Sequence, residues 1–196
     1  MTIAEKILAR ASGRKRVEPG NYVTARIDMA MMPDAFRLIR PNLKQAGIPE
    51  NEFKLWDPDR VIIVTDHRVP AFDVVNARAQ KLARDLARGL GVKHFYDIYA
   101  GICHQVMVEK GHVLPGRIIV GTDSHTCTYG ALGAFATGIG STDMSSVFAT
   151  GKLWFMVPKT LQLMIEGRLP SRVTSKDVVL RIIGDVGADG ANYLAC

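Results

Sequence analysis

The chain has 196 residues, 47% of them hydrophobic and 22% charged, enough for one sizeable α/β domain with a buried core and too apolar for a disordered chain. No apolar run approaches the ~18 residues of a spanning helix, and Met1-Thr-Ile-Ala-Glu-Lys6 lacks the charged-then-apolar pattern of a signal peptide, so a cytoplasmic protein with no membrane partner is expected. The formal charge of +6 includes a basic cluster at Arg10, Arg14, Lys15 and Arg16; without aromatic interleaving or a nucleic-acid motif it reads as a solvated face, and small anionic ligands suit it better than nucleic acid.

In chain order, Ile3, Ile7, Leu8 and Ala11 have helical spacing over residues 3–11, closed by Gly13. Glu18-Pro-Gly-Asn21 is a turn, and a strand is expected over 22–29. A helix is expected from Pro33 to about Arg40, interrupted by Pro41, with a loop around Gly47 and Pro49. Arg60-Val-Ile-Ile-Val-Thr65 is β-branched and reads as a central parallel strand, running into Asp66-His67. An amphipathic helix fits 73–90, a strand 94–98 and a short helix 105–110. Pro115-Gly116 turns into the apolar strand 118–120, which delivers Asp123, Ser124 and His125 side by side. Glycines 130, 133, 138 and 140 suit tight turns or close approach of backbone to a ligand. A helix is expected over 143–150, a strand over 158–167, and a last helix from Thr174 to about Ile183.

Strands alternating with helices argue a mainly parallel sheet flanked by helices. Three histidines, His67, His104 and His125, fall at or just past the carboxyl ends of successive strands, where open α/β sheets bind ligands. With Asp66 and Asp123 as orienting partners they form a set suited to proton transfer near neutrality. Ser124 and nearby amides suit a substrate carboxylate. His94 and His112 read as structural. The histidines and aspartates are also zinc-ligand types, but no HExxH is present and the histidines sit on separate strands. The spacing of residue types alone leaves an acid–base enzyme or a metal site open. Cys103, Cys127 and Cys196 are odd in number and widely spaced, giving neither a disulfide framework nor a CxxC metal site; Cys103 and Cys127 read as buried reduced thiols.

Thr65-Asp66-His67, Ile102-Cys-His104-Gln105 and the block from Gly121-Thr-Asp-Ser-His125 to Gly140-Ser-Thr-Asp143 resemble the aconitase superfamily. Within it they resemble the isopropylmalate dehydratase and homoaconitase-like branch of large subunits. Thr2-Ile-Ala-Glu-Lys-Ile-Leu8 and Ala149-Thr-Gly-Lys-Leu-Trp154 extend the likeness over the whole chain. The resemblance implies a hydro-lyase that moves a hydroxyl between adjacent carbons of a small hydroxy di- or tricarboxylate, with 3-isopropylmalate of leucine biosynthesis as the expected substrate. It implies a [4Fe-4S] cluster acting as Lewis acid, with His67, supported by Asp66, protonating the leaving hydroxyl. His104, near Asp123, and His125 would orient water or hydroxyl, and Ser124 would contact a substrate carboxylate. The family's cluster cysteines have no match here, so residues 1–196 are expected to be the N-terminal domain of a longer large subunit, without metal ligands of its own and inactive alone. A small, swivelling subunit is the implied partner. A stand-alone carboxylate-binding or subunit-interaction module is the alternative. Where the family carries a polar substrate contact before an acid, this chain reads Met32-Pro33-Asp34, and proline cannot make that contact.

Overall fold

The computed structural model describes residues 1–33, 38–49 and 52–196. Its centre is a parallel sheet built from β2 (Met29–Met32), β3 (Val61–Val64), β4 (His94–Tyr96), β5 (Ile118–Gly121) and β6 (Phe135–Gly138), in the order β4-β3-β2-β5-β6. The expected mainly parallel α/β architecture is therefore present. β2, β3 and β5 are buried on both faces along their whole length, as parallel strands covered from both sides must be.

Residue alternation along these strands divides the core. Ala30, Met32, Val61, Ile63, Ile118 and Val120 face one layer of helices. That layer holds α1 (Ile3–Ser12), α2 (Ile39–Gln45), α3 (Val74–Gly89) and α5 (Ser141–Thr150). Met29, Met31, Ile62, Val64 and Ile119 face the other way, onto α4 (Cys103–Glu109) and a 3-10 helix over Ser124–Leu132. Helix α1 starts with a Thr2–Glu5 capping box and ends at Gly13 in the left-handed region, as its pattern suggests.

The expected strand over 22–29 is two strands in two sheets. β1 (Tyr22–Arg26) pairs antiparallel with β7 (Lys152–Met156), whose alternating burial went unread in the sequence. The chain then crosses at Ile27-Asp28 into β2, the middle strand of the parallel sheet. Asp28 makes the crossing: its N–H donates to the Ile118 carbonyl at 2.9 Å and its carboxylate accepts the Ile118 N–H at 2.9 Å. β3 is an internal parallel strand, but the central place belongs to β2.

Pro41 does not interrupt a helix. It is the third residue of α2, in the first turn, where an amide N–H has no intrahelical acceptor to lose. The expected start of that helix at Pro33 involves residues 34–37, outside the described residues. The strand expected over 158–167 shrinks to β8 (Lys159–Thr160), paired with β9 (Leu194–Ala195). Beyond Leu161, whose N–H donates to the Ala195 carbonyl at 2.8 Å, no strand among the described residues pairs with the segment, and Met164 and Ile165 are exposed. Helix α6 (Ser175–Val186) starts at Thr174 with Asp177, as read, but buries none of its residues; Val179, Leu180 and Ile183 are exposed.

His112 is the buried titratable group outside the sheet's carboxyl edge. Its ring lies 4.7 Å from the ring of His94, and its Nε2 is 2.6 Å from the Tyr96 hydroxyl. Burial, and then the neighbouring His94, hold its pKa below the ordinary 6.5. The unfolded chain therefore takes up this proton before the folded one does, and folding stability falls as pH drops below about 6.5. Urea denaturation midpoints should decline between pH 7 and pH 5, with a shallower decline in His112→Gln; equal slopes would contradict the assignment.

Candidate active site

The sheet order reverses between β2 and β5: strands added after β2 first run outward through β3 and β4, then β5 and β6 form on the other side. Such a switch point leaves a crevice at the carboxyl ends of the strands. His67 follows β3, Asp123 follows β5 and His104 sits in the first turn of α4. The three candidate histidines converge here, although β2 separates β5 from the neighbouring β3 and β4, because each reaches one carboxylate.

That carboxylate is Asp123. Its Oδ1 accepts the backbone N–H of His125 at 2.8 Å and lies 2.8 Å from His104 Nε2 and 2.9 Å from His125 Nδ1. Its Oδ2 faces His67 Nε2 at 3.5 Å. Burial alone would raise the pKa of this carboxyl. The N–H groups of His125 and His104 overturn that and hold it well below the usual carboxylate range. Asp123 is therefore held as the anion, and neutral rings must turn an N–H toward it.

Asp66 holds the other side of His67. Its Oδ1 is 2.6 Å from His67 Nδ1, and its Oδ2 accepts the backbone N–H of Cys103, the first residue of α4, at 2.6 Å. His67 thus lies between two carboxylates, one at each ring nitrogen. Cys103 is buried, as expected, and its thiol is pushed up to about 12, first by burial and then by its hydrogen bond to Asp66. Cys127 is exposed, contrary to its reading as a buried thiol: the 3-10 helix turns it outward, its Sγ 3.6 Å from the Ser124 carbonyl. Ser124 opens the same helix with an exposed side chain.

Two glycines let this helix fold back over the sheet edge. Gly121 and Gly138 are register partners at the ends of β5 and β6. A Cβ on Gly121 would lie 2.3 Å from Thr126 Oγ1, and one on Gly138 would lie 2.7 Å from the Asp123 carbonyl oxygen. The close approach at Gly138 is therefore to the protein's own backbone, and it sets where Asp123 stands.

Tyr129 was passed over in the sequence, although it is the only aromatic residue between His125 and Phe135. It is fully buried, and its hydroxyl lies 2.8 Å from His104 Nδ1. Beside His67 opens a cavity of about 270 Å³, lined by Thr65, Arg68, Thr122 and the α3 residues Asn76 and Gln80. Thr122 Oγ1 is buried with no hydrogen-bond partner among the described residues. Pro33, at the end of β2, also lines it; Asp34 lies outside the described residues.

Among the described residues, two groups have metal-ligand atoms within 4.8 Å of one another: Asp66, His67 and Cys103, and His104, Asp123 and His125. The first includes a thiol that burial and Asp66 keep protonated, whereas the thiolate is the metal ligand. In the second, the 2.8 and 2.9 Å separations are those of N–H groups donating to a carboxylate.

Residues 19–194 match the model of the aconitase family (aconitate hydratase). The chain is 55% identical to a probable 3-isopropylmalate dehydratase large subunit of Methanothermobacter thermautotrophicus, over 100% of this chain and 46% of that protein. It is 54% identical to 3-isopropylmalate dehydratase large subunit 1 of Methanopyrus kandleri, over 99% of this chain and 46% of that protein. It is 48% identical to a probable methanogen homoaconitase large subunit of M. thermautotrophicus, over 98% of this chain and 45% of that protein. The chain thus spans about half the length of the curated relatives it matches.

Iodoacetamide at pH 8 should modify Cys127 and Cys196 in the folded protein and leave Cys103 untouched until denaturant is added, read by peptide mass spectrometry; early labelling of Cys103 would contradict its burial. Gly138→Ala should cost about 1–3 kcal/mol, the range for overpacking, and should move the amide resonances of Asp123 and His125. Unchanged stability and resonances would show that the Gly138 contact does not set the loop.

Proposed function

Because the chain belongs to the aconitase family, we propose that it supplies the histidine–aspartate side of the active site of a hydro-lyase acting on a small hydroxy acid, most simply 3-isopropylmalate in leucine biosynthesis. The arrangement around Asp123 carries the proposal: one part-buried anion holds two imidazoles by hydrogen bonds and faces a third. The relatives' names support the choice of substrate, two of the three describing a 3-isopropylmalate dehydratase.

Losing water from a β-hydroxy acid requires a proton for the departing hydroxyl. His67 is placed to give it. Its Nδ1 faces Asp66 and its Nε2 faces Asp123, so a doubly protonated ring has an acceptor on each side. Delivery of the Nε2 proton leaves a neutral ring still oriented by Asp66. His104 keeps Nε2 on Asp123 Oδ1 at the edge of the same space and, with that carboxylate, orients the water or hydroxyl. His125 commits Nδ1 to Asp123 and, being 79% exposed, offers its Nε2 edge to the incoming molecule. Ser124, beside it, contacts a substrate carboxylate. The cavity next to His67 takes part of the substrate; its volume of about 270 Å³ suits a molecule of this size.

A [4Fe-4S] cluster in the complete enzyme would supply Lewis acidity. This chain does not provide its ligands. Cys103 is a buried thiol in α4, and Cys127 and Cys196 are exposed, one in the 3-10 helix and one at the chain's last residue. The thiolates belong to the rest of a longer large subunit, and a smaller partner subunit completes the site in the cytoplasm. Every proton assigned above moves between this chain's own groups and the substrate.

A chimera tests the proposal. This chain would replace the matching segment of the M. thermautotrophicus relative, produced anaerobically with that organism's small subunit and assayed on 3-isopropylmalate. Turnover is expected, with kcat about 10²–10⁴-fold lower in His67→Asn or Asp123→Asn, the range for loss of a general acid or its support. A folded chimera with its cluster in place and no turnover of isopropylmalate or homocitrate would overturn it.

A further inference from the structure

Proton counting around His104 leads past the residues already assigned. Both of its ring nitrogens are engaged: Nε2 with Asp123 Oδ1 at 2.8 Å and Nδ1 with the Tyr129 hydroxyl at 2.8 Å. Asp123 is an anion and only accepts, so Nε2 must carry a hydrogen. In a neutral ring Nδ1 is then bare, and the Tyr129 O–H donates to it. Every donor and acceptor in the chain Tyr129–His104–Asp123 is matched.

A cationic ring breaks that match. Nδ1–H would donate to the Tyr129 oxygen, and the phenol hydrogen would need another acceptor. Tyr129 is fully buried, packed in the apolar layer with Cys103, Met107 and Val106. Its hydroxyl has no other hydrogen bond described than the one to His104. Giving the proton up instead is disfavoured: burial first, then Cys103, Asp123 and Asp66, push the phenol above its ordinary range. A buried O–H without an acceptor is unfavourable, and that cost falls on the cationic state alone.

We infer that Tyr129 is a positioning residue: its buried hydroxyl fixes His104 as the neutral tautomer with hydrogen on Nε2, so that His104 meets the site as a hydrogen-bond donor and not as a proton source. Proton delivery is thereby left to His67, which has a carboxylate at each nitrogen. The tautomer follows from the chain's own geometry. Its catalytic consequence rests on the hydro-lyase reading.

The test is nitrogen NMR of the chain labelled with ¹⁵N-histidine, using long-range ¹H–¹⁵N correlations to separate bare from protonated ring nitrogens. At pH 7, His104 should show a bare Nδ1 and a protonated Nε2. In Tyr129→Phe, which keeps the ring and removes the hydroxyl, the Nδ1 resonance should move. Tyr96→Phe, which removes the equivalent hydroxyl from His112, should leave His104 unmoved. A wild-type His104 with hydrogen on Nδ1 overturns the inference without any variant, so a Tyr129→Phe protein that fails to fold does not shield it. A folded Tyr129→Phe protein with unchanged His104 signals also overturns it. In the active chimera, kcat should fall about 10–100-fold in Tyr129→Phe, as for other residues that orient a functional histidine, with KM little changed. Loss of the tautomer signature would sink this inference alone, whereas an inactive wild-type chimera would sink the hydro-lyase reading and leave the tautomer standing.

Discussion

A single part-buried anion organises the edge of this sheet. Asp123 is surrounded by N–H groups, and their donation outweighs the burial that would otherwise protonate it. Charge-assisted hydrogen bonds of this kind are short and directional, so the carboxylate orients each imidazole it touches as well as gathering them. A neutral side chain of the same shape would weaken the bonds to two rings and leave the third without its facing charge.

Backbone geometry decides where the anion stands. β5 ends in Gly121 and β6 ends in Gly138, side by side, and the 3-10 helix after Asp123 packs where their side chains would have been. Thr126 closes the turn, its hydroxyl donating to the Asp123 carbonyl at 2.6 Å. Across the switch point, α4 begins with an N–H pointed at Asp66. The fold thus brings two carboxylates to one crevice by two independent devices, a glycine pair on one side and a helix start on the other, and the histidines are fitted between them.

The periphery has a different character from this edge. α6 and the segment leading to it leave apolar residues exposed. Phe72, Val75, Tyr99 and Ile102, from the segments following β3 and β4, are also exposed. A chain that spans about half of its relatives and exposes apolar groups near its functional edge fits the proposal that further protein completes the site. The parallel sheet is already covered on both faces.

Residue order by itself determined the parallel α/β class, because β-branched runs such as Val61–Val64 and Ile118–Val120 alternate with amphipathic helices, and that pattern has few solutions. It also marked Asp66, His67, His104, Asp123, Ser124 and His125 as candidates for the chemistry, since acids and imidazoles that follow apolar strands collect at one edge. It did not show β2, whose Met29-Ala-Met-Met32 run has weak strand preference and earns its central place only through neighbours on both sides. Nor did it show β7, which exists because β1 lies antiparallel to it, while the better-patterned 158–167 has almost no partner and stays largely irregular. Only the tertiary structure decided that Asp123 is the shared acceptor, that Gly138 serves the backbone of Asp123, and that Tyr129 answers the second nitrogen of His104. These are contacts between segments distant in sequence or across a folded turn, and hydrogen-bond geometry is a property of positions in space that no order of residue types contains.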